Sequence, residues 1–211
     1  MFETKSIDNS SILIKLMLRK SLLDLKAVEK TVALDLFAGT GEIASRVYAG
    51  FPELHLVERD NKKFARLEQK FKGAPCSRLW NMDNLEFIRS RLQSIPEISV
   101  ADFDAYASPN LQVLAFFENW KVRKPLLIFA TDGITLSRLR GRSFNPGLYL
   151  AGPDHGSGRG HDPVITRNCE LMIRSFWSEL ARRHNFRICL FKILWKKMRQ
   201  VAYYGLWIEP G

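Results

Sequence analysis

TVALDLFAGTGEIA, residues 31–44, is the most informative segment of this 211-residue chain for predicting its fold. It begins with a continuous apolar run, which is typical of a buried strand, and the run stops at Gly39. Gly39, Gly41 and Ala44 then fit the pattern G-x-G-x-x-G/A, and residues 42–51 favour a helix. A strand that turns through glycines into a helix predicts the first unit of a parallel sheet.

The glycine pattern raises the question of which ligand it serves. Dinucleotide-binding proteins carry it with an acidic residue at the end of the next strand, and Glu58 lies 19 residues after Gly39. Such glycines also form ordinary tight turns between a strand and a helix. Asp35 favours another ligand, because a dinucleotide site keeps an apolar residue there and a carboxylate can accept a hydrogen bond from a cationic amino-acid group. Nothing beyond residue 60 resembles a nicotinamide or pyrophosphate site.

Apolar runs and amphipathic stretches alternate on both sides of this motif. The sequence predicts five strands (31–39, 54–60, 76–83, 98–106 and 125–133) and four intervening helices (42–51, 62–71, 84–93 and 111–120). A helix is expected over 11–29, with Ser10 or Ser11 as its N-cap, and another over 164–184. The last two apolar runs, 186–197 and 201–209, predict an antiparallel hairpin. The fold class is therefore α/β, a seven-stranded mostly parallel sheet with helices on both faces.

This pattern predicts one domain over 1–211, with residues 1–30 as an N-terminal helical extension. Residues 134–163 are rich in Gly, Pro and Arg and interrupt the alternation of strands and helices. A connection of this length inside a compact domain is usually functional, so we expect an active-site loop. Asp154, His155, His161 and Asp162 in this loop fit no usual metal-ligand spacing, and no metal is expected. Phosphate contact is the expectation for a group of arginines in the same loop: Arg138, Arg140, Arg142 and Arg159.

Composition sets the broad class of the protein. Apolar residues make up 46% and charged residues 26%, as in ordinary globular proteins. No run approaches the ~18 apolar residues of a membrane-spanning helix, and the polar N-terminus does not resemble a secretory signal. The three cysteines share no CxxC spacing, so we expect a reduced, cytoplasmic protein.

Core positions are expected for the aromatic residues of the last helix and the last two strands: Trp177, Trp195, Tyr203, Tyr204 and Trp207.

The positive charge is concentrated in the second half of the chain. The formal net charge is +10; residues 1–118 contain 16 Lys or Arg and 16 Asp or Glu, whereas residues 119–211 contain 16 and 6. One-sided positive charge attracts polyanions, above all nucleic acid. A solvated basic surface that aids solubility is the alternative, so charge alone does not decide the partner.

DLFAGTG, residues 35–41, with an acidic end to the second strand, resembles the signature of class I S-adenosylmethionine-dependent methyltransferases. That family has a Rossmann-like seven-stranded sheet whose last strand forms an antiparallel hairpin with the one before it. The resemblance extends from residue 30 to the end of the sequence and implies S-adenosyl-L-methionine as cofactor. The residues that it places at the cofactor are Asp35, Phe37, Gly39, Gly41, Glu58, Met82 and Asp83.

These cofactor residues have different implied roles. The resemblance implies that Gly39 and Gly41 pass under the methionine moiety and that Glu58 holds the ribose hydroxyls. It also implies that Asp83 caps the adenine amino group while Met82 packs on the ring. An N-cap for the following helix is the alternative for Asp83, and an ordinary surface charge is the alternative for Glu58.

DFDAYASPN, residues 102–110, follows the fourth strand, where the substrate of such an enzyme must arrive. Side chains alternate along a strand, so Asp102 and Asp104 share one face. A carboxylate that accepts hydrogen bonds from an exocyclic amine aims its lone pair and stabilises the developing positive charge. Either aspartate could instead be a structural cap for the turn, and Asp104 is our choice for the catalytic role. Tyr106 is expected to stack on the base, and Ser108-Pro109 to fix the turn.

The stretch DAYASP, residues 104–109, is similar to the D-P-F/Y-G-S-P pattern of the tRNA guanine-N2 dimethyltransferases at four of six positions. In those enzymes the next strand also ends in a Thr-Asp pair, as Thr131-Asp132 does here. Ala105 and Ala107 depart from the pattern. The similarity is local, so we take from it the chemistry and not the position in tRNA.

The sequence therefore predicts an S-adenosylmethionine-dependent N-methyltransferase that acts on an exocyclic amine of a nucleic-acid base. RNA is favoured over DNA, and neither a membrane nor a metal is expected as a partner. Two alternatives stay open: the same fold could methylate a protein or a small molecule, or the protein could bind nucleic acid without catalysis.

Overall fold

A single seven-stranded sheet organises the chain. The structure, a computed structural model, describes residues 11–25, 29–95, 97–133, 146–149, 168–196 and 200–211. The strand order is β3-β2-β1-β4-β5-β7-β6. In chain order the strands are β1 (Val32–Asp35), β2 (Glu53–Val57), β3 (Ser77–Trp80), β4 (Val100–Phe103), β5 (Leu126–Asp132), β6 (Phe186–Trp195) and β7 (Ala202–Pro210).

The first five strands are parallel, and β7 runs antiparallel to both β5 and β6. The α/β fold class and the C-terminal hairpin predicted from the sequence are confirmed. The first four predicted strands, 31–39, 54–60, 76–83 and 98–106, are too long, because β1 ends at Asp35, β2 at Val57, β3 at Trp80 and β4 at Phe103. At the end of β4 the Ala105 N–H donates to the Phe103 carbonyl oxygen at 2.8 Å and turns the chain out of the sheet.

Five α-helices flank the sheet in the described part of the chain. They are α1 (Ile12–Leu23), α2 (Asn61–Lys70), α3 (Asn84–Ser90), α4 (Asn110–Asn119) and α5 (Cys169–His184). The helix predicted over 42–51 is shorter and has π-helical geometry at Ala44–Tyr48. Short 3₁₀ turns occur at Leu92–Ser94 and Pro146–Tyr149. None of these helices is both long and apolar enough to cross a bilayer.

Helices cover both faces of the sheet, as predicted. The core on one face packs α3, α4 and α5 against alternate strand residues such as Leu34, Phe103 and Ile128. Trp177 and Tyr204 are fully buried in that core. The other core, in which Leu18 of α1 is fully buried, packs α1 and α2 against the opposite set of strand residues.

The N-terminal helix α1 packs against the sheet, with Leu18, Leu22 and Leu23 buried in the core on that face. Leu22 packs so closely on the sheet that a side chain at Gly205 would collide with it. Ser11 occupies the N-cap position of α1, although its side chain makes no capping hydrogen bond. Since α1 lies on the face that Asp102 and Asp104 share, it brings its own side chains to the end of β4.

The register of the sheet determines which residues meet at its carboxyl edge. β1 and β4 are neighbours, and Asp35 is paired in register with Asp102. The carboxyl ends of parallel strands meet at one edge of a sheet, and ligands of open α/β folds bind there. Glu58 and Asp83 follow the ends of β2 and β3 at this edge. Asp104 follows β4 in the same way.

Candidate active site

The two glycines after β1 both have positive φ angles, but they have different surroundings. Gly39 has φ 56° and Gly41 has φ 77°, a region that favours glycine. A Cβ at Gly41 would lie 2.7 Å from the side chains of Leu67 and Phe71, so this glycine lets α2 pack on the turn. Among the residues that the structure describes, a Cβ at Gly39 would meet only the Phe37 carbonyl oxygen, at 4.0 Å. The surface at Gly39 is therefore open to a ligand.

Asp35 lies at the end of β1 and is 2% exposed. Its Oδ1 accepts a hydrogen bond from the Phe37 N–H at 3.0 Å. Burial, together with the neighbouring carboxylate of Asp102, raises the pKa of Asp35 well above its usual value. A cationic ligand group beside Asp35 would favour its ionised form. The Asp35 carboxyl before the Gly39 turn thus offers a hydrogen-bond acceptor to a ligand that carries an ammonium group.

The ends of β2 and β3 contribute two more carboxylates to the same edge. Glu58 is half-buried, and its Oε1 accepts from the Asp60 N–H at 2.7 Å. Asp83 is the N-cap of α3, since its Oδ1 accepts from the Leu85 N–H at 2.9 Å. Its Oδ2 accepts from Arg59 at 3.2 Å. The capping alternative for Asp83 is therefore what the structure shows, and its role at an adenine stays a prediction.

Met82 and Phe37 are the two apolar residues of the predicted cofactor site. Both are half-buried and pack against the core that contains α3 and α4. They lie at the same edge of the sheet as Asp35 and Glu58, because they follow β3 and β1. Their contact with a cofactor also stays a prediction.

Asp102 lies inside β4 and is completely buried. Its Oδ2 accepts from the Arg19 Nε at 2.7 Å and its Oδ1 from the Arg19 Nη2 at 2.7 Å. Tyr48 completes the group, because its hydroxyl donates to Oδ2 at 2.6 Å. Burial and Asp102 raise the pKa of Tyr48, so the hydroxyl stays protonated. Asp102 is thus held by a bidentate buried ion pair, which gives it a structural role.

Asp104 lies two residues further along, at the rim of the site, and its side chain is 14% exposed. Its Oδ2 accepts from the Lys15 ammonium at 2.7 Å, and its Oδ1 accepts from the Thr131 hydroxyl. Burial alone would raise the pKa of Asp104, but the positive charges of Lys15 and Arg19 outweigh it and lower that pKa. Asp104 is therefore a carboxylate that is both ionised and accessible from solvent.

The turn after β4 packs against the end of β5. The Gly133 N–H donates to the Ala107 carbonyl oxygen at 2.8 Å, and a Cβ at Gly133 would lie 2.6 Å from the Tyr106 carbonyl oxygen. Ala105 stands where the D-P-F/Y-G-S-P pattern has a proline. Its backbone N–H, which a proline lacks, donates to the Phe103 carbonyl oxygen and closes the turn. This contact gives a physical reason for the departure at Ala105.

Tyr106 projects from this turn and is 76% exposed. The Lys63 ammonium of α2 lies 5.6 Å from the centre of its ring, within cation–π distance. Pro109 occupies the N-cap position of α4, and the Ser108 hydroxyl accepts from the Asn110 N–H at 3.3 Å. Ser108 and Pro109 thus lie at the start of α4, their contact with a substrate stays a prediction, and Tyr106 offers an exposed aromatic ring.

Several predicted residues lie outside the described part of the chain. They include the arginines proposed for phosphate contact (Arg138, Arg140, Arg142 and Arg159) and the loop residues Asp154, His155, His161 and Asp162. Within the described ranges, no three His, Cys, Asp or Glu side chains cluster as a metal site would require. The structure adds Lys15, Arg19 and Tyr48, which the sequence reasoning did not place at the site.

Solved structures share this architecture, whereas no protein-family model and no curated protein matches the sequence. The chain is similar to Trm1 of Pyrococcus horikoshii, solved with S-adenosyl-L-methionine, at 16% identity and a TM-score of 0.63, over 96% of this chain and 54% of that one. It is similar to TYW2 of M. jannaschii, solved with AdoMet, at 11% identity and a TM-score of 0.55, over 100% and 79%.

A third similar structure is an rRNA methylase from Streptococcus thermophilus, at 11% identity and a TM-score of 0.50, over 97% of this chain and 98% of that one. Identities this low establish the fold alone. The chain has the fold of the S-adenosylmethionine-dependent methyltransferases, and the resemblance seen in the sequence is confirmed at that level.

Proposed function

We propose that this protein is an S-adenosylmethionine-dependent N-methyltransferase that acts on an exocyclic amine of a nucleic-acid base, with RNA as the substrate. The observation that carries the proposal is the position of Asp104. It is an ionised, partly exposed carboxylate directly after β4, on the sheet edge where Asp35 and the Gly39 turn lie. Similar structures were solved with S-adenosylmethionine, which supports the cofactor.

The cofactor would lie against the Gly39 turn, with its cationic amino-acid part beside Asp35 and its ribose hydroxyls at Glu58. Bound there, it supplies an electrophilic methyl group. Met82 and Asp83 would contact the adenine, the latter through the oxygen that Arg59 now contacts. The open surface at Gly39 and the position of Asp35 at the end of β1, directly before this turn, support the arrangement.

Asp104 would accept a hydrogen bond from the acceptor amine and direct the nitrogen lone pair toward the methyl group. The nitrogen of an exocyclic amine gains positive charge as it is methylated, and a fixed carboxylate beside it stabilises that charge. Tyr106 would stack on the extruded base, because its ring is exposed next to Asp104 in the sequence.

Two features support a nucleic-acid substrate over a protein or a small molecule. First, the ammonium of Lys63 lies over the exposed Tyr106 ring, so a stacked base would meet positive charge beside it. Second, residues 119–211 carry the whole positive excess of the chain. The arginines Arg138, Arg140 and Arg142 would contact phosphates, and their neutralisation should weaken binding and flatten its salt dependence. The name of the Streptococcus thermophilus neighbour agrees with RNA.

The proposal is tested by incubating the protein with methyl-labelled S-adenosylmethionine and either total RNA or total DNA, followed by nucleoside analysis. Label in an N-methylated nucleoside from RNA is the expected result. Label in protein, or in no polymer, contradicts the proposed substrate. RNA binding without any transfer would instead indicate a catalytically silent RNA-binding protein.

Cofactor binding is tested separately by thermal denaturation. S-adenosylmethionine or its demethylated product should raise the melting temperature by mass action, whereas NAD should not. Gly39→Val and Asp35→Ala should each abolish the increase. An increase with NAD alone would contradict the cofactor assignment.

A further inference from the structure

Lys15 is a basic residue on the sheet-facing side of α1, with a side chain that is only 21% exposed. Its ammonium lies 2.7 Å from the Asp104 Oδ2 and 5.7 Å from the centre of the Tyr203 ring. A lysine loses hydration and side-chain freedom when it is enclosed in this way. The contacts with Asp104 and Tyr203 offset that cost and hold the ammonium at one place beside the proposed acceptor site.

Charged or polar groups surround Asp104 on α1, β1, β4 and β5. Asp35 of β1 and Asp102 of β4 carry their carboxyl groups on the same face of the sheet, and the pKa of Asp35 is raised by burial, by Asp102 and by Asp104. Arg19 of α1 is positive, but its guanidinium is engaged in the bidentate pair with Asp102. Thr131 of β5 donates a neutral hydrogen bond. Lys15 is therefore the cation that pairs directly with Asp104 among the described residues.

The two contacts of Asp104 leave part of its carboxylate available. A carboxylate has about four lone-pair sites, two on each oxygen. Lys15 occupies one on Oδ2 and Thr131 one on Oδ1, so each oxygen keeps a further site for a donor. The two contacts also fix the plane of the carboxylate, because they hold both of its oxygens.

We infer that Lys15 is a positioning residue of the acceptor site: it holds Asp104 as an oriented carboxylate, with Thr131, so that the free lone pairs face the acceptor amine. This inference rests on the proposed function. It makes α1 a structural element of the acceptor site, since α1 supplies the Lys15 ammonium that orients the Asp104 carboxylate for the amine.

The first test is the pH profile of methyl transfer to RNA by wild-type protein, Lys15→Met and Lys15→Arg. Without the cation the pKa of Asp104 rises, so Asp104 stays protonated up to a higher pH. In Lys15→Met we expect the acid limb of kcat/KM to move to higher pH. The kcat at neutral pH should fall on the order of 10²-fold, the scale of a misplaced catalytic group. Lys15→Arg should restore most of the activity, and Lys20→Met, on the exposed side of α1, should have no effect.

The second test measures the Asp104 carboxyl directly and requires no catalysis. Its carbon-13 resonance, assigned by comparison with Asp104→Asn, is followed as a function of pH in the wild type and in Lys15→Met. We expect titration at higher pH in Lys15→Met. If the carboxyl titrates at the same pH in both proteins, Lys15 does not have this role. The same follows if the wild type is active and Lys15→Met has an unchanged pH profile; in either case the proposed function itself still stands. A wild type that methylates no nucleic acid would instead overturn the proposed function on which this role depends.

Discussion

Asp102 and Asp104 lie two residues apart on the same face of the sheet, and each accepts hydrogen bonds from a cation of α1 and from a hydroxyl, yet the two carboxylates differ in burial. Asp102 is inside β4, completely buried, and paired with Arg19 and Tyr48. Asp104 is just beyond the strand, partly exposed, and paired with Lys15 and Thr131. The difference shows that the carboxylate within the sheet takes part in a buried ion pair of the core, whereas the one at the end of the strand remains accessible to a ligand.

The largest effect is expected when the buried pair of Asp102 is broken. Arg19→Met removes the cation and leaves an uncompensated buried carboxylate, which costs about 3–5 kcal/mol of the free energy of unfolding. Urea denaturation measures this loss. The matched control is Lys20→Met, which changes an exposed cation on the same helix and should cost less than about 0.5 kcal/mol. A similar small loss for Arg19→Met would show that the two carboxylates are equivalent.

A smaller effect is expected at the aromatic residue beside Asp104. Tyr106→Ala removes a stacking face worth about 1–3 kcal/mol per base, so RNA binding measured by titration should weaken accordingly. Tyr106→Phe keeps the ring and should bind almost as the wild type does. Since Tyr106 is 76% exposed, neither change should lower the unfolding free energy much. If Tyr106→Ala binds RNA normally, the turn after β4 does not contact the base.

The smallest effect concerns a third carboxylate, Asp83, which is an N-cap in the structure and a cofactor ligand in the prediction. Asp83→Ala should lower the unfolding free energy by about 1 kcal/mol through loss of the cap. Asp83→Asn preserves the cap. If Asp83 also contacts adenine, both variants should bind S-adenosylmethionine more weakly; normal binding by both would restrict Asp83 to a structural role.

Much of the fold could be predicted from the sequence because its signals are local. The apolar runs and the glycines at 39 and 41 are enough to predict the strands, their parallel direction and the turn after β1. The end of β4 was not predictable in this way, since the turn at Phe103 depends on one backbone hydrogen bond from Ala105. The π-helical geometry at Ala44–Tyr48 also lacks a sequence signal that we can identify.

The ion pairs of the site are long-range contacts, and for that reason the sequence reasoning missed them. Lys15 and Arg19 are four residues apart on a helix, a rise of about 6 Å. Asp102 and Asp104 are two residues apart along an extended chain, about 6.6 Å. The two spacings match when α1 runs antiparallel to β4, as the pairing of Lys15 with Asp104 and of Arg19 with Asp102 shows. The sequence did contain one indication of these ion pairs: Lys15 and Arg19 lie on the otherwise apolar side of the predicted helix.

We propose that Asp104 acts in the reaction, whereas Asp102 stabilises the fold. The same substitution at both positions tests this difference. Unfolding free energy and methyl transfer to RNA are measured for Asp102→Asn and Asp104→Asn in parallel. We expect Asp104→Asn to remain stable, to bind S-adenosylmethionine normally and to lose a factor on the order of 10²–10³ in rate, as when one electrostatic stabiliser is removed. Asp102→Asn should be markedly less stable but active in its folded fraction. If Asp104→Asn is fully active and Asp102→Asn is folded but inactive, then Asp102, and not Asp104, is the carboxylate that acts in the reaction.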